Sequence, residues 1–336
     1  MRYWVLCGSL AISAFVSLQI LFSCIAALIW KLRGGSDWLP GQKSRLLFAA
    51  QVWPVAGALA GVALLVLPAF VKNEPSQTNE PVGPLLIFLA TLGIAACVVC
   101  LWRLYNSWSG TNKTLLDWQR QSSPTRIEGL SLQAFITEHD FPVVSVAGIF
   151  RPRLYIARQV IEILSPEELS AVVRHEIWHL SAFDNLKRLV YTVCSSLSFF
   201  VPGRRSKAEE WYSSVELAAD EYAAGRKGEH ALDLASALVR IASLVPAKSP
   251  CYANAPLSMA LAYRSLLEIR VERLVRIAEL RGSRNSMRHF GFVNAIADHS
   301  IRSGFALLTV LTVLAFQPAV LQLVHEFIEF TVEILR

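Results

Sequence analysis

The sequence predicts a mainly α fold: a polytopic membrane protein of four spans, with one cytoplasmic α+β domain inserted between the third and fourth. Three observations predict it. Four long runs carry almost no charge, about 200 residues of ordinary polarity separate the last two runs, and the short loops alternate in charge. The composition agrees, because 54% of the 336 residues are apolar, only 17% are charged and the mean hydropathy is +0.42. A water-soluble domain runs near a quarter charged. The net charge of +6, from 32 basic and 26 acidic residues, is too mild and dispersed for a dedicated nucleic-acid binder. Six cysteines without regular spacing exclude a disulfide-framed secreted domain.

Tyr3 to Trp30 is 28 residues without a charge, more than the roughly 20 that cross the hydrocarbon. A cleaved signal peptide is the rival reading. It would have a shorter apolar core and a more basic start, whereas only Arg2 precedes this run and Lys31 and Arg33 follow it. A retained anchor is the expectation. Leu46 to Val71 is the second run, with Pro54 and Pro68 tolerable in a packed membrane helix, and Leu85 to Trp102 is the third. Residues 106–128 are polar and read as a linker. Leu189 to Val201 is too short to cross and is expected to be buried or to dip into the membrane. Phe305 to Val324 is the fourth run and the least apolar, interrupted by Gln317, Pro318 and Gln322. The expected domains are therefore 1–105 (three spans), 106–302 (inserted domain) and 303–336 (fourth span and tail).

Basic residues in short loops set orientation. Lys31, Arg33, Lys43 and Arg45 face one acid, Asp37, between the first two runs, while Glu74 and Glu80 outnumber Lys72 between the next two. Four spans then place the N-terminus outside and residues 103–302 in the cytoplasm. The insert holds 25 basic and 20 acidic residues, which fits inside bias and attraction to anionic membrane lipid better than nucleic acid, for which no motif appears.

The chemistry lies in the insert. Ser165-Pro166-Glu167-Glu168 reads as a helix start with a capping box. The helix after it carries His175-Glu176-Ile177-Trp178-His179, an HExxH pattern. Four residues are just over one turn, so both imidazoles leave one face and can share a Zn²⁺, with Glu176 beside them as a general base. Alone the pattern also describes a surface helix with two unrelated histidines. The apolar neighbours Leu169, Val172, Val173, Ile177 and Leu180 argue against that, since burying an unpaired Glu176 is costly. Glu216 and Asp220 come later, at helical spacing among Val215, Leu217, Ala218, Ala219, Ala223 and Ala224. Glu216 suits a third ligand, and Asp220 suits a partner for the free N–H of a ligating histidine. A solvated acidic face, with Glu209, Glu210 and Glu221 nearby, is the alternative.

HEIWHLSAFDNLKRL resembles the HExxHxxxxDNLxRL element of the BlaR/MecR-type antirepressor metallopeptidases, membrane zinc proteases of bacteria. The stretch FPVVSVAGIFRPRLYIARQVIEILSPEEL is similar to that family's lead-in, and ELAAD resembles the ExxxD element shared with HtpX/CAAX-type endopeptidases. The resemblance implies a gluzincin-like zinc metallopeptidase domain on the cytoplasmic face of the bacterial inner membrane. It implies one Zn²⁺ per chain on His175, His179 and Glu216, with Glu176 as catalytic base and Asp220 as supporting acid. It implies a protein or peptide substrate, with a repressor or the chain itself as examples. Asp184, Asn185 and Arg188 match the pattern without a chemical role. VERLVRI resembles a late motif and makes Arg273 a candidate for site support, while Tyr212, Tyr222, His230 and Arg273 are candidates for the oxyanion. Substrate is expected along an edge strand in VVSVAG or RLYIA. The chain ends 12 residues after Val324, so the penicillin-binding sensor domain is expected to be absent and a separate sensor or regulatory protein to supply the signal. An HtpX-like quality-control protease and a non-catalytic membrane sensor or scaffold remain as rival functions.

Cys97 and Cys100 form a CxxC inside the third run, best read as core packing. His139, His289, His299 and His325 have no partner spacing, and Trp4, Trp30, Trp38, Trp53 and Trp102 are placed to anchor at the membrane interface.

Overall fold

The computed structural model describes residues 2–32, 38–74, 83–125, 133–138, 141–149, 151–198, 204–225, 228–244, 264–280, 310, 313 and 317–334. The apolar runs form helices as far as they are described: α1 (Arg2–Leu32), α2 (Pro40–Gly61) continuing through a π turn (Val62–Val66) into α3 (Leu67–Asn73), and α4 (Pro84–Arg120). Three helical stretches, Tyr3–Lys31, Pro40–Asn73 and Pro84–Arg120, are long and apolar enough to cross a membrane. The π turn lies just before Pro68, whose ring would meet the carbonyl of Leu64 in a regular α-helix, so the change of register accommodates the proline. α1 packs against both α2 and α4. Close approach depends on Gly93 of α4: a Cβ there would lie 2.2 Å from Ile12 Cγ2.

Helix α4 departs from the expected linker. It runs unbroken to Arg120, and Ser122 already begins a strand. The polar run folds because Leu115 and Trp118, three residues apart, turn one face onto Phe141, Val143, Ala147 and Tyr155. The expected fourth run lies mostly outside the described residues. What is described near it is the last helix, α11 (Pro318–Ile334).

The inserted sheet has four strands, β1 (Ser122–Thr125), β2 (Ala134–Thr137), β3 (Val144–Ala147) and β4 (Arg153–Ala157), in the order β1-β2-β4-β3. β2 runs parallel to β4, and β3 antiparallel to β4, with Val144 opposite Ile156 and Val146 opposite Leu154. RLYIA is therefore an interior strand, paired on both sides, and cannot add a peptide at its edge. VVSVAG supplies the edge strand β3.

After β4 come α5 (Arg158–Ile163), α6 (Pro166–Ser181), α7 (Asp184–Leu197), α8 (Arg204–Ala223), α9 (Ala231–Leu244) and α10 (Arg264–Glu279). The capping box of α6 is present: Ser165 Oγ accepts from the Glu168 N–H, and the Glu168 carboxylate accepts from the Ser165 N–H. The core joins Leu154 and Ile156 of the sheet to Val172 of α6, Ala223 of α8, Leu234 and Leu238 of α9 and Leu274 of α10. The apolar run from Leu189 falls in α7, which packs against α2 and α4, while 199–201 lie outside the described residues. Ser198, at its end, accepts from the Nε2 groups of Gln19 and Gln51 at 2.5 and 3.4 Å.

Candidate metal centre

Helical spacing brings His175 and His179 onto one face of α6, and α8 crosses that face with Glu216 and Asp220. His175, Glu176, Glu216, Asp220, Asp184 and Arg188 are all buried, and polar groups at such depth must find partners.

The partners satisfy this group only in part, since His175 Nδ1, Arg188 Nε, Glu216 Oε2 and Arg270 Nη1 are buried outside hydrogen-bond geometry. His175 Nδ1 lies 3.0 Å from Asp220 Oδ1, and His179 Nδ1 lies 2.8 Å from Asp184 Oδ2. With each Nδ1–H assigned to its carboxylate, both Nε2 atoms carry lone pairs. Those atoms face each other at 3.2 Å, with Glu216 oxygens 3.5 and 3.6 Å away. Glu216 Oε2 is buried with no hydrogen-bond partner. Three electron-rich donors thus lie within 4.8 Å of one another. A cation between them relieves the repulsion, and two imidazoles with one carboxylate suit Zn²⁺. The residues present fit a dication.

Charge counting agrees. Four buried carboxylates (Glu176, Asp184, Glu216, Asp220) face two buried guanidiniums (Arg188, Arg270), so two negative charges remain when the imidazoles are neutral. Lys187, at the rim and 37% exposed, reaches Asp184 at 3.3 Å through partly screening solvent. Arg188 Nη2 donates to Glu216 Oε1 at 3.1 Å. Arg270 grips Asp220 through Nε and Nη2 at 2.7 and 2.6 Å and brings Nη1 to 3.5 Å from Glu216 Oε2.

These neighbours set the protonation states. Burial alone would lower the pKa of His175, but the Asp220 and Glu216 carboxylates outweigh it and raise the pKa to about 9. Burial alone would raise Glu216 and Asp220. For Glu216, charge from His179 and Arg270 and the bond to His175 hold it well below the ordinary range; for Asp220, Arg270 and His175 do so. Glu176 goes the other way: burial pushes its carboxyl up, despite the neighbouring histidines and the hydrogen bond from the Val146 N–H at 2.9 Å.

Residues 87–264, more than half of the chain, match the family model described as BlaR1 peptidase M56. The chain belongs to this family. As a BlaR1-type peptidase it is a membrane-associated metallopeptidase, and a protein substrate follows from the family's chemistry. No curated protein is similar enough in sequence to count as a match.

Within this BlaR1-type peptidase the sequence candidates divide. His175, Glu176, His179, Glu216 and Asp220 come together. Arg273 does not join them: it lies over Glu221, on the far side of α10, and Arg270 occupies the place expected of it. Tyr222 is exposed and packs on Trp178, with ring centres 5.0 Å apart, and His230 lies 3.6 Å from Asp233. Tyr212 is outside the donor group, with Arg188 6.0 Å over its ring. Three groups had no role from sequence. Asp184 orients His179, Arg188 holds Glu216, and Asn185 Nδ2 donates to the carbonyls of Val146 and Gly148 at 3.0 Å each. The Val146 N–H is thus engaged by Glu176, and its carbonyl accepts from Asn185.

Arg270 lies beyond the matched residues, but a signal existed. Leu267, Arg270, Val271 and Leu274 share one helical face, so periodicity puts Arg270 inward and Arg273 outward.

Proposed function

We propose that this chain is an integral-membrane zinc endopeptidase that cleaves a protein substrate at the cytoplasmic membrane face, in regulated proteolysis of a repressor or of the chain itself. The observation that carries the reading is the convergence of both Nε2 atoms and the Glu216 carboxylate, each imidazole backed by its own buried acid. His175, His179 and Glu216 would hold the metal. When bound, Zn²⁺ supplies a Lewis acid for the scissile carbonyl and lowers the pKa of a water molecule.

The protein's own groups handle the proton. Glu176, whose burial raises its pKa toward the working range of a general base, accepts a proton from the attacking water and delivers it to the departing amine. The Val146 N–H holds Glu176 Oε2 and so fixes the direction from which the other oxygen approaches. Asp184 and Asp220 keep the histidine Nδ1 protons in place, and Arg188 and Arg270 hold the two α8 carboxylates in position.

Charge and packing support the proposed orientation. Lys43, in the first turn of α2, pairs with Glu210 of α8 at 2.6 Å, and α2 packs on α8. The start of α2 and the peptidase elements share one side, as positive-inside bias requires if both are cytoplasmic. The engagement of Asp184 and Arg188 favours the antirepressor type over an HtpX-like protease, because both belong to the DNLxRL element. A silent scaffold has no use for a buried base beside a complete ligand set.

The test is metal analysis with cleavage mapping of wild type and Glu176→Gln in detergent. The expected result is about one zinc at this centre in both proteins, with cleavage by the variant reduced roughly 10²–10⁴-fold. Cleavage by Glu176→Gln at the wild-type rate sinks the proposal.

A further inference from the structure

The helices that the metal centre shares with the apolar runs fix its depth. Helix α7 starts at the centre with Asp184 and runs alongside α2, because Tyr191 shares a buried cluster with Leu47 and Ser198 accepts from Gln51. Gln19 of α1 donates to the same Ser198. Gln51 lies five residues inside the uncharged run that begins at Leu46, and Gln19 lies eleven residues inside the run that ends at Trp30. At 1.5 Å per residue, Ser198 is about 8–16 Å below the cytoplasmic edge of these runs, and the length of α7 sets Asp184 about 5–13 Å above it. A direct contact agrees. A Cβ on Gly41, in the first turn of α2 and five residues before Leu46, would lie 4.0 Å from the Cβ of Ala218, which stands between Glu216 and Asp220. A headgroup layer is about 5–8 Å thick, so the metal centre lies in that layer or just above it.

The surface around the centre suits this depth. His179 is 11% exposed, whereas His175 and Glu216 are sealed, so the centre opens on the His179 side, at the turn where α6 meets α7. Exposed apolar side chains flank the opening. Phe183, in the turn, is 69% exposed; Leu186 follows on α7, and Ile149 comes directly after Gly148, whose carbonyl Asn185 holds. Apolar side chains grouped at a rim mark a contact with membrane or protein. On α4, Cys100 meets the Val193 carbonyl and Trp118 docks on the sheet, so Trp102, Tyr105 and Trp108 stand between those two levels, all exposed. Aromatic side chains in that place mark a membrane interface.

We infer that the substrate is a membrane-anchored polypeptide, cut on the cytoplasmic side within about ten residues of its anchor, with the apolar rim receiving the juxtamembrane stretch. This rests on the peptidase activity and orientation proposed above and names the substrate class of that same site. An extended chain covers the distance from the edge of the runs to the centre in about two to four residues, so an anchored chain delivers its juxtamembrane bonds while its anchor stays in the bilayer. A freely soluble domain has to enter the headgroup layer and lay its chain on Phe183 and Leu186. Anchoring also confines the substrate to the layer that holds the centre, which raises its effective concentration there. Of the substrates proposed above, the chain itself fits, and a repressor fits only where it is anchored.

The experiment maps new N-termini in the membrane and soluble fractions of bacterial cells carrying wild type or Glu176→Gln. Termini that require Glu176 are expected in membrane-anchored proteins, this chain included, within about ten residues of an anchor on its cytoplasmic side. If the termini that require Glu176 are confined to soluble proteins, or lie more than about twenty residues from any anchor, this inference is overturned and the peptidase reading stands. No terminus requiring Glu176 in either fraction overturns both. Leu186→Glu, a charge placed on the rim at an exposed position, is expected to bind zinc as wild type does and to yield these termini at least about tenfold more slowly, the equivalent of losing one buried leucine. Termini formed by Leu186→Glu at the wild-type rate overturn the docking assigned to the rim.

Discussion

His175 and His179 look alike in the HExxH pattern but have different supports. The Nδ1 of His175 faces Asp220 from the crossing helix α8, and that of His179 faces Asp184 from the next helix in sequence. Both acids are buried, so each stands in for water beside the Nδ1 of its imidazole. Asp184→Asn and Asp220→Asn should each weaken metal affinity about 10–100-fold, read by competition with a chromophoric chelator. Affinities equal to wild type would show that the carboxylates do not orient the ring. Arg270 is 1% exposed and makes a two-point contact with Asp220 that lysine cannot copy. Arg270→Lys should therefore lose metal affinity, whereas Arg273→Lys, altering only the contact with Glu221, should leave it unchanged. Sequence made the five HExxH and ExxxD residues legible because each has a fixed helical spacing. It left Asp184 without a role because the turn at Phe183, a non-glycine residue with φ of 56°, brings the acid back toward the preceding helix.

Among the elements, α4 and α7 carry the consequences. The polar end of α4 is no linker, since Trp118 is 1% exposed and lies with its ring centre 5.5 Å from that of Tyr155 on β4. Trp118→Ala should cost roughly 3–5 kcal/mol, visible as a lower melting temperature and faster proteolysis between α4 and the sheet. An unchanged melting temperature would mean that α4 and the sheet are not docked. Helix α7 touches both halves of the protein. Its first turns supply Asp184, Asn185 and Arg188 to the metal centre and the edge strand, and Ser198 just past its end meets Gln19 and Gln51 of α1 and α2. The short apolar run from Leu189, as far as it is described, packs on α2 and α4. Its neighbours were not legible, because burial between helices looks like burial in lipid in a string of residues.

For the whole molecule, the buried charges make stability depend on pH and on metal. Glu216 and Asp220 have folded pKa values held below the ordinary carboxylate value. Their contribution is full above about pH 4 and is lost as pH falls through the lower folded values. His175 has the opposite sign: raised to about 9, it contributes fully below about pH 6.5 and progressively less as pH rises through 9. Chelator-treated protein should therefore lose melting temperature between roughly pH 6.5 and 9. Zinc-loaded protein should not, because the dication replaces that proton. Thermal melts across this range with and without zinc provide the measurement, and parallel curves would refute the assignment. At any pH in that range, adding the chelator should lower the melting temperature, since the carboxylates then repel without a dication between them.

The sequence by itself determined the apolar helices, the capped α6, the pairing of His175 with His179 and the place of Glu216 and Asp220 on one later helix. All of these are local periodicities, which neighbours along the chain enforce. Only the tertiary structure decided that α8 lays its acids across α6, that α7 turns back with Asp184 and Arg188, and that Arg270 rather than Arg273 enters the core. Those choices depend on which faces meet, and a buried charge goes where an opposite charge from a distant element can satisfy it.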